Sequence, residues 1–262
     1  MARGRTERFI TRRLDGESVR REPDTLIVEE PLSLRLDDVL VATTMRTPGA
    51  DFELAAGFCH AEGWLDGAEI RRIRYCGEGP PAESEFNVVS VETDGEGPPP
   101  VPRLGIASSS CGICGAETVE RLAATLQPLP EGGRFELATL AAVPGRMAAL
   151  QDLFGATGAV HAAGVADRSG EPQLLREDIG RHNAVDKVVG RLLLDGRLPA
   201  TSLCLYVSGR ASFEMVQKAW AAGFGALVAV SAPSALAVQV ARSAGLQLGG
   251  FARGGTVRIY AD

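Results

Sequence analysis

Leu32, Leu34 and Leu36 alternate with Ser33 and Arg35, and after Asp37-Asp38 the alternation resumes at Val39, Val41 and Thr43. A period of two broken by two turn-forming residues predicts paired strands, and the stretch from about Phe9 to Met45 reads as short strands throughout. The pattern then changes. MRTPGADFELAAGFCHAEGWL has helical spacing, with Pro48 and Asp51 at its start and Gly63 to stop it. Ile70–Cys76 and Glu85–Thr93 return to strand character, and Asp94–Arg103 is a Gly/Pro loop that cannot pair continuously in a sheet. Val119, Leu122, Ala123 and Leu126 recur at i, i+3, i+4 and i+7, which predicts a helix beginning near Cys114. Pro144 is expected to open a further helix whose Met147, Leu150, Leu153 and Phe154 enter the core.

The second half is more regular. TGAVHAAGVADRSGEPQLLRED reads as a hairpin around Arg168-Ser169-Gly170, and RHNAVDKVVGRLLLDG as a helix with Val185, Val188, Leu192 and Leu193 on one face. Strand, helix, strand and helix follow in LCLYVS, SGRASFEMVQKAWAAG, ALVAVSA and PSALAVQVARSAG, and two short strands end in TVRIY. Alternation of this kind predicts right-handed crossovers and a largely parallel sheet, hence an α/β chain.

Composition narrows the function classes. The 262 residues are 45% hydrophobic and 23% charged, as in ordinary globular proteins, with a net charge of −6. That charge disfavours a general nucleic-acid or anionic-membrane surface, so an anion site must be built from local basic residues. The N-terminal MARGRTERFITRR lacks an apolar h-region, and no run of about 18 apolar residues occurs, so neither a secretory signal nor a membrane span is expected. Five cysteines without a framework spacing fit a reducing, cytoplasmic setting.

Cys111 and Cys114 lie in SSSCGICG, between glycines and just ahead of the expected helix, where the dipole favours a thiolate. Three uses of such a pair compete: half a zinc site, a redox dithiol, or a persulfide carrier. Zinc needs two more ligands, and the remaining cysteines and histidines are scattered singly, so no metal site is expected. The spacing alone does not choose between the other two. A tip of this composition, Ser108–Gly115, is expected to be mobile and exposed. Cys59 and His60 are adjacent on a helix and point about 100° apart, which suits core packing or exposure better than joint ligation.

Three other segments carry ligand chemistry. Ser208-Gly209-Arg210-Ala211-Ser212 joins a strand to a helix, where open α/β sheets bind anions, although a plain tight turn reads equally well. Phe251-Ala252-Arg253-Gly254-Gly255-Thr256 repeats a guanidinium among small residues, and alone could be an ordinary turn. Glu177–Asn183 is polar between a strand and an apolar helix; Asp178 either caps that helix, with Arg181 and His182 in solvent, or accepts from a heterocycle such as guanine. His161, among small apolar residues, suits a core position.

Taken together these strings resemble one family, the formate dehydrogenase accessory sulfurtransferases FdhD/NarQ. The resemblance is carried by EEPLSLRL, ATTMRTPGADFELAAGF, SSSCGICG, TGAVHAAG, REDIGRHNAVDKVVG, SGRASFEMVQKA, SAPSALAVQVA and GFARGGTVRIY. It implies a sulfur carrier that takes sulfur from a cysteine desulfurase and delivers it to the bis-molybdopterin guanine dinucleotide cofactor of formate dehydrogenase. Cys111 would hold the persulfide and Cys114 would assist. Phe251 to Thr256 would bind the cofactor, with Ser208, Gly209 and Arg210 as further candidates. The resemblance also implies a homodimer and, for residues 106–262, a cytidine-deaminase-like three-layer α/β/α domain after a small mixed α+β part at 1–105. Zinc deamination itself is excluded, because that chemistry needs a glutamate two residues after its histidine, and His161 is followed by Ala162 and Ala163. Two rivals remain: a cofactor-binding chaperone that moves no sulfur, and a thiol–disulfide oxidoreductase.

Overall fold

The computed structural model describes residues 4–76, 86–102, 126–130 and 134–262. The expected alternating strands are β3 (Glu30–Leu36) and β4 (Val39–Arg46), joined through Asp37 and Asp38, both at positive φ. With β5 (Arg72–Tyr75) and β6 (Val88–Glu92) they form a four-stranded sheet in the order β4-β3-β6-β5. Leu32, Leu34, Leu36, Val89 and Val91 point from one face onto helix α1 (Asp51–Ala61). Arg46, fully buried, fixes the start of that helix: its Nε and Nη2 donate to the two oxygens of Asp51 at 3.1 and 3.0 Å. Ahead of this sheet, β1 (Thr6–Asp15) and β2 (Ser18–Ile27) make a separate two-stranded hairpin.

Residues 137–262 supply α2 (Leu137–Ala148), α3 (Asp152–Thr157), β7 (His161–Ala166), β8 (Pro172–Asp178), α4 (Arg181–Leu194), β9 (Cys204–Val207), α5 (Phe213–Ala221), β10 (Ala226–Ala229), α6 (Ala235–Ala244), β11 (Gln247–Arg253) and β12 (Thr256–Ala261). The six strands form one sheet, ordered β12-β11-β10-β9-β7-β8. Alternate residues divide its faces. Ala163, Val165, Leu205, Val207, Leu227 and Ala229 pack on α4, α5 and α6, while Ala162, Ala166, Cys204, Tyr206, Ala226 and Val228 pack with α2. The fold is mixed α/β.

Two expectations change. The sheet is less parallel than the alternation implied: β9–β10 and β10–β11 are parallel, but β7–β8, β7–β9 and β11–β12 are antiparallel. Helical crossovers produce the parallel pairs, whereas the short turns after β7 and β11 permit only hairpins. Pro144 lies inside α2, which begins at Leu137, and of the four supposed core residues Met147 is fully buried while Leu150 and Phe154 are 45% and 49% exposed. Met147 faces the sheet across Gly164, where a Cβ would lie 2.7 Å from its sulfur; Leu150 follows the last turn of α2, and Phe154 is on α3, which lies beside β2.

The two larger sheets are joined through α1 and α4. A Cβ on Gly57 would lie 1.9 Å from the Asp186 carbonyl oxygen, and one on Gly190 would lie 1.8 Å from that of Glu53. Only glycine permits helix backbones to approach so closely.

Candidate functional site

Because β9, β10 and β11 run parallel, their C-terminal ends share one edge of the sheet, and β7, running the other way, brings its first residue there too. A ladder of backbone bonds crosses this edge. Ser208 N donates to Ala162 O at 2.9 Å, Ser231 N to Gly209 O at 3.2 Å, and Phe251 N to Ser231 O at 3.1 Å. The Ser208 hydroxyl closes the first rung by accepting from Ala162 N at 2.9 Å. The two stretches read separately from the sequence, Ser208–Arg210 and Phe251–Thr256, thus flank Ser231. Nothing in the sequence pattern marked Ser231 as the residue between them.

Within these stretches the side chains differ in what they can reach. Arg210, Arg253, Gly254, Gly255 and Thr256 are exposed, whereas Ala252 is fully buried beneath the sheet and offers a ligand nothing. Arg253 pairs with Thr256 across Gly254 and Gly255, both at positive φ, so the segment is a tight hairpin tip as well as a candidate ligand loop. Phe251 has φ 51° at a break in the strand register, and the Arg258 guanidinium lies 4.9 Å from its ring centroid. A left-handed phenylalanine is uncommon backbone for a side chain of that size, and such positions gather at ligand sites.

The same edge gathers three helix N-termini. α4 follows β8, α5 follows β9 and α6 follows β10, so each helix starts where its strand ends. Their unpaired N–H groups give the edge positive character, to which Arg181, Arg210 and Arg253 add. An anionic ligand is favoured here on a chain that is acidic overall.

Glu177–Asn183 borders this edge. Asp178, fully buried, uses all its acceptor positions inside the protein: Oδ1 accepts from Gly180 N at 2.8 Å and Asn183 Nδ2 at 3.1 Å, and Oδ2 from Thr47 N at 3.2 Å and Lys187 Nζ at 2.7 Å. It therefore has no acceptor left for a guanine. Lys187 also donates to Thr47 O at 2.9 Å, and burial pushes its pKa down against the pull of Asp178. A lysine between the apolar Val185 and Val188 was the sequence signal for this buried pair. Arg181 and His182 are partly buried, not in open solvent, and His182 Nε2 lies against a carboxylate oxygen of Glu214 on the first turn of α5.

His161 stands beside Gly209, where a Cβ would lie 3.6 Å from its Nδ1. Burial first, then the charges of Arg181 and His182, push its pKa below the usual histidine value, with Asp178 pulling weakly the other way. The ring is half-buried at the edge and is not a core side chain.

Cys111, Cys114 and the Ser108–Gly115 tip lie outside the described residues. Cys59, Cys76 and Cys204 are buried free thiols, and desolvation pushes Cys59 and Cys204 to about 12. Neither forms a nucleophilic thiolate at neutral pH. His60, beside Cys59, is taken up by a hydrogen bond from Nε2 to Ala221 O at 3.1 Å. Among the described residues, no three His, Cys, Asp or Glu side chains are grouped to hold a metal ion, and no helix is long and apolar enough to cross a membrane.

Comparison with known proteins places the edge in context. The model of the FdhD/NarQ family matches residues 27–262. A protein of Streptomyces avermitilis named sulfur carrier protein FdhD is 46% identical over 264 residues, covering 98% of this chain and 94% of its own. Proteins of the same name from Nocardia farcinica and Anaeromyxobacter dehalogenans are 46% and 44% identical, each with 91% of its length covered against 97% and 98% of this chain. A crystal structure from Desulfotalea psychrophila, described as that of a candidate formate dehydrogenase accessory protein, superposes with a TM-score of 0.78 at 24% identity. It covers 99% of this chain and 98% of that one, which establishes a common fold.

Proposed function

Because the chain belongs to the FdhD/NarQ family, we propose that it is a cytoplasmic sulfur carrier that prepares the molybdenum cofactor for formate dehydrogenase. The Cys111 thiolate attacks the outer sulfur of a persulfide on a cysteine desulfurase. A new S–S bond forms on Cys111, the donor's S–S bond breaks, and the donor cysteine leaves as a thiolate. Cys114 assists the onward release. The substrate that receives the sulfur, bis-molybdopterin guanine dinucleotide, carries pyrophosphates and guanines, and the sheet edge at Ser208–Arg210 and Phe251–Thr256 holds it by backbone N–H groups and the Arg210 and Arg253 guanidiniums. A homodimer is the expected form.

The observation that carries this reading is the Cys111–Cys114 pair in a chain aligned over nearly its whole length with proteins named sulfur carriers. The described cysteines support it indirectly, since Cys59 and Cys204 are held as inert thiols. Intact-protein mass spectrometry after incubation with a desulfurase and cysteine is the test. An adduct of about 32 Da on Cys111 is expected. Unimpaired formate dehydrogenase maturation by Cys111→Ala protein would leave a cofactor-binding chaperone in its place.

A further inference from the structure

β1 and β2 form a two-stranded sheet of their own, ten residues each, paired without a break in register from Thr6↔Ile27 to Asp15↔Ser18. Strands of that length extend about 33 Å. α3 lies beside β2, but from Arg12 through the turn to Arg21 every residue is exposed. A two-stranded ribbon is marginal in water unless one of its faces is covered.

The register sorts the side chains of this ribbon. Directly opposed residues project to the same face, so one face carries Arg8, Ile10, Arg12 and Leu14 from β1 with Val19 and Arg21 from β2. Ile10, Leu14 and Val19 are 63%, 69% and 51% exposed. Leu14 opposes Val19 and Ile10 opposes Pro23, with the Arg12–Arg21 pair between them. Opposed like charges destabilise a ribbon, and no acidic residue of the two strands shares this face to relieve them. The other face is mixed: Arg13 and Arg20 alternate there with Glu7, Glu22 and Asp24, and Arg13 Nη1 lies 3.6 Å from Glu22.

We propose that the ribbon is the arm by which two copies of this chain hold each other, its Arg12–Arg21 face lying on the body of the partner copy. Carboxylates of that body answer the opposed arginines, and the apolar pairs on either side of them are buried. The chain itself supplies the complementary charge, since residues 28–262 carry 28 acidic against 20 basic side chains. Arm does not lie on arm, because Arg12 and Arg21 would then meet their own charge. Strand addition at the ribbon's edge is disfavoured as well: Pro23 brings no N–H to β2, and arginines line both strands. Packing of the face on a second body satisfies every group, and a two-fold axis makes it reciprocal. The inference rests on the homodimer expected of the carrier, and it assigns the surface that makes that dimer.

Sedimentation equilibrium of the full chain tests it. The wild type is expected to be a dimer at about 10 μM. Leu14→Asp/Val19→Asp should weaken dimerisation about a hundredfold, and Arg12→Glu/Arg21→Glu about tenfold or more. All four residues are exposed in the single chain, so near-ultraviolet circular dichroism should stay that of the wild type. Arg13→Glu/Arg20→Glu, on the other face, should leave the dimer intact. A monomeric wild type, a dimer that the first two variants leave intact, or equal dissociation by the Arg13/Arg20 variant overturns the arm. Sulfur loading of Cys111 is read separately by mass spectrometry. A monomer that loads sinks the arm and leaves the carrier reading standing, and an arm-dependent dimer that never loads sinks the carrier reading alone.

Discussion

Lys187 and Asp178 meet as a buried ion pair, Nζ to Oδ2 at 2.7 Å, beneath the loop that starts α4. Each partner also bonds to Thr47, on the segment between β4 and α1, so one pair pins the N-terminal sheet to the rim of the candidate site. Removing one partner strands a charge in the interior. Lys187→Met is expected to lose about 3–5 kcal/mol of stability in denaturant titration. The double variant Lys187→Met/Asp178→Asn should recover part of that loss. A single-variant loss below about 1 kcal/mol would mean that the pair is not desolvated as described.

Alkylation of the native protein should spare Cys59 and Cys204. Burial holds both thiols near 12, so iodoacetamide has no thiolate to attack until the chain unfolds. Peptide mapping before and after denaturation reads this directly, and rapid native labelling of either residue would contradict their placement.

Acid should weaken the fold before its carboxylates titrate. His60 and His161 both have pKa values lowered from 6.5, chiefly by burial, so the unfolded chain binds protons that the folded chain refuses. Their contribution is fully present above pH 6.5 and is lost as pH falls from there toward the folded values. Thermal melts from pH 8 to 5 should show the decline. His60→Gln, whose amide can still donate to Ala221 O, should flatten it.

Sulfur loading and nucleotide binding should separate. Cys111→Ala is expected to abolish the persulfide adduct while guanine-nucleotide affinity stays unchanged. Arg253→Ala should do the reverse, with affinity falling about tenfold to a hundredfold. Unchanged affinity in both Arg253→Ala and Arg210→Ala would move the site away from this edge.

Much of the fold was legible because its elements announce themselves by period and punctuation. Gly63, Gly196 and Gly245 follow helices at positive φ, and Asp37-Asp38 marks the β3–β4 turn. The stretch from Phe9 reads as strand, as found, but the turn that splits it into β1 and β2 was not legible, for a physical reason: every residue from Arg12 to Arg21 is exposed, so no face needs to be apolar and no alternation is imposed. Phe154 misled because a large aromatic side chain was equated with the core. At the site, each loop carried its own signal, but strand order supplies the proximity. Ser231 lies between two segments more than forty residues apart, and no local pattern encodes that.

The contact between Gly57 and Gly190 bears on how the molecule melts. Two helices that touch backbone to backbone leave no side-chain layer to loosen first, and each belongs to a different sheet. A cut near residue 105 would strip α4 of the surface its glycine was shaped to meet, and the C-terminal piece would carry that bare groove into solvent. The chain should therefore unfold in one calorimetric transition, and the slowest-exchanging amides of α1 and α4 should share a single opening free energy.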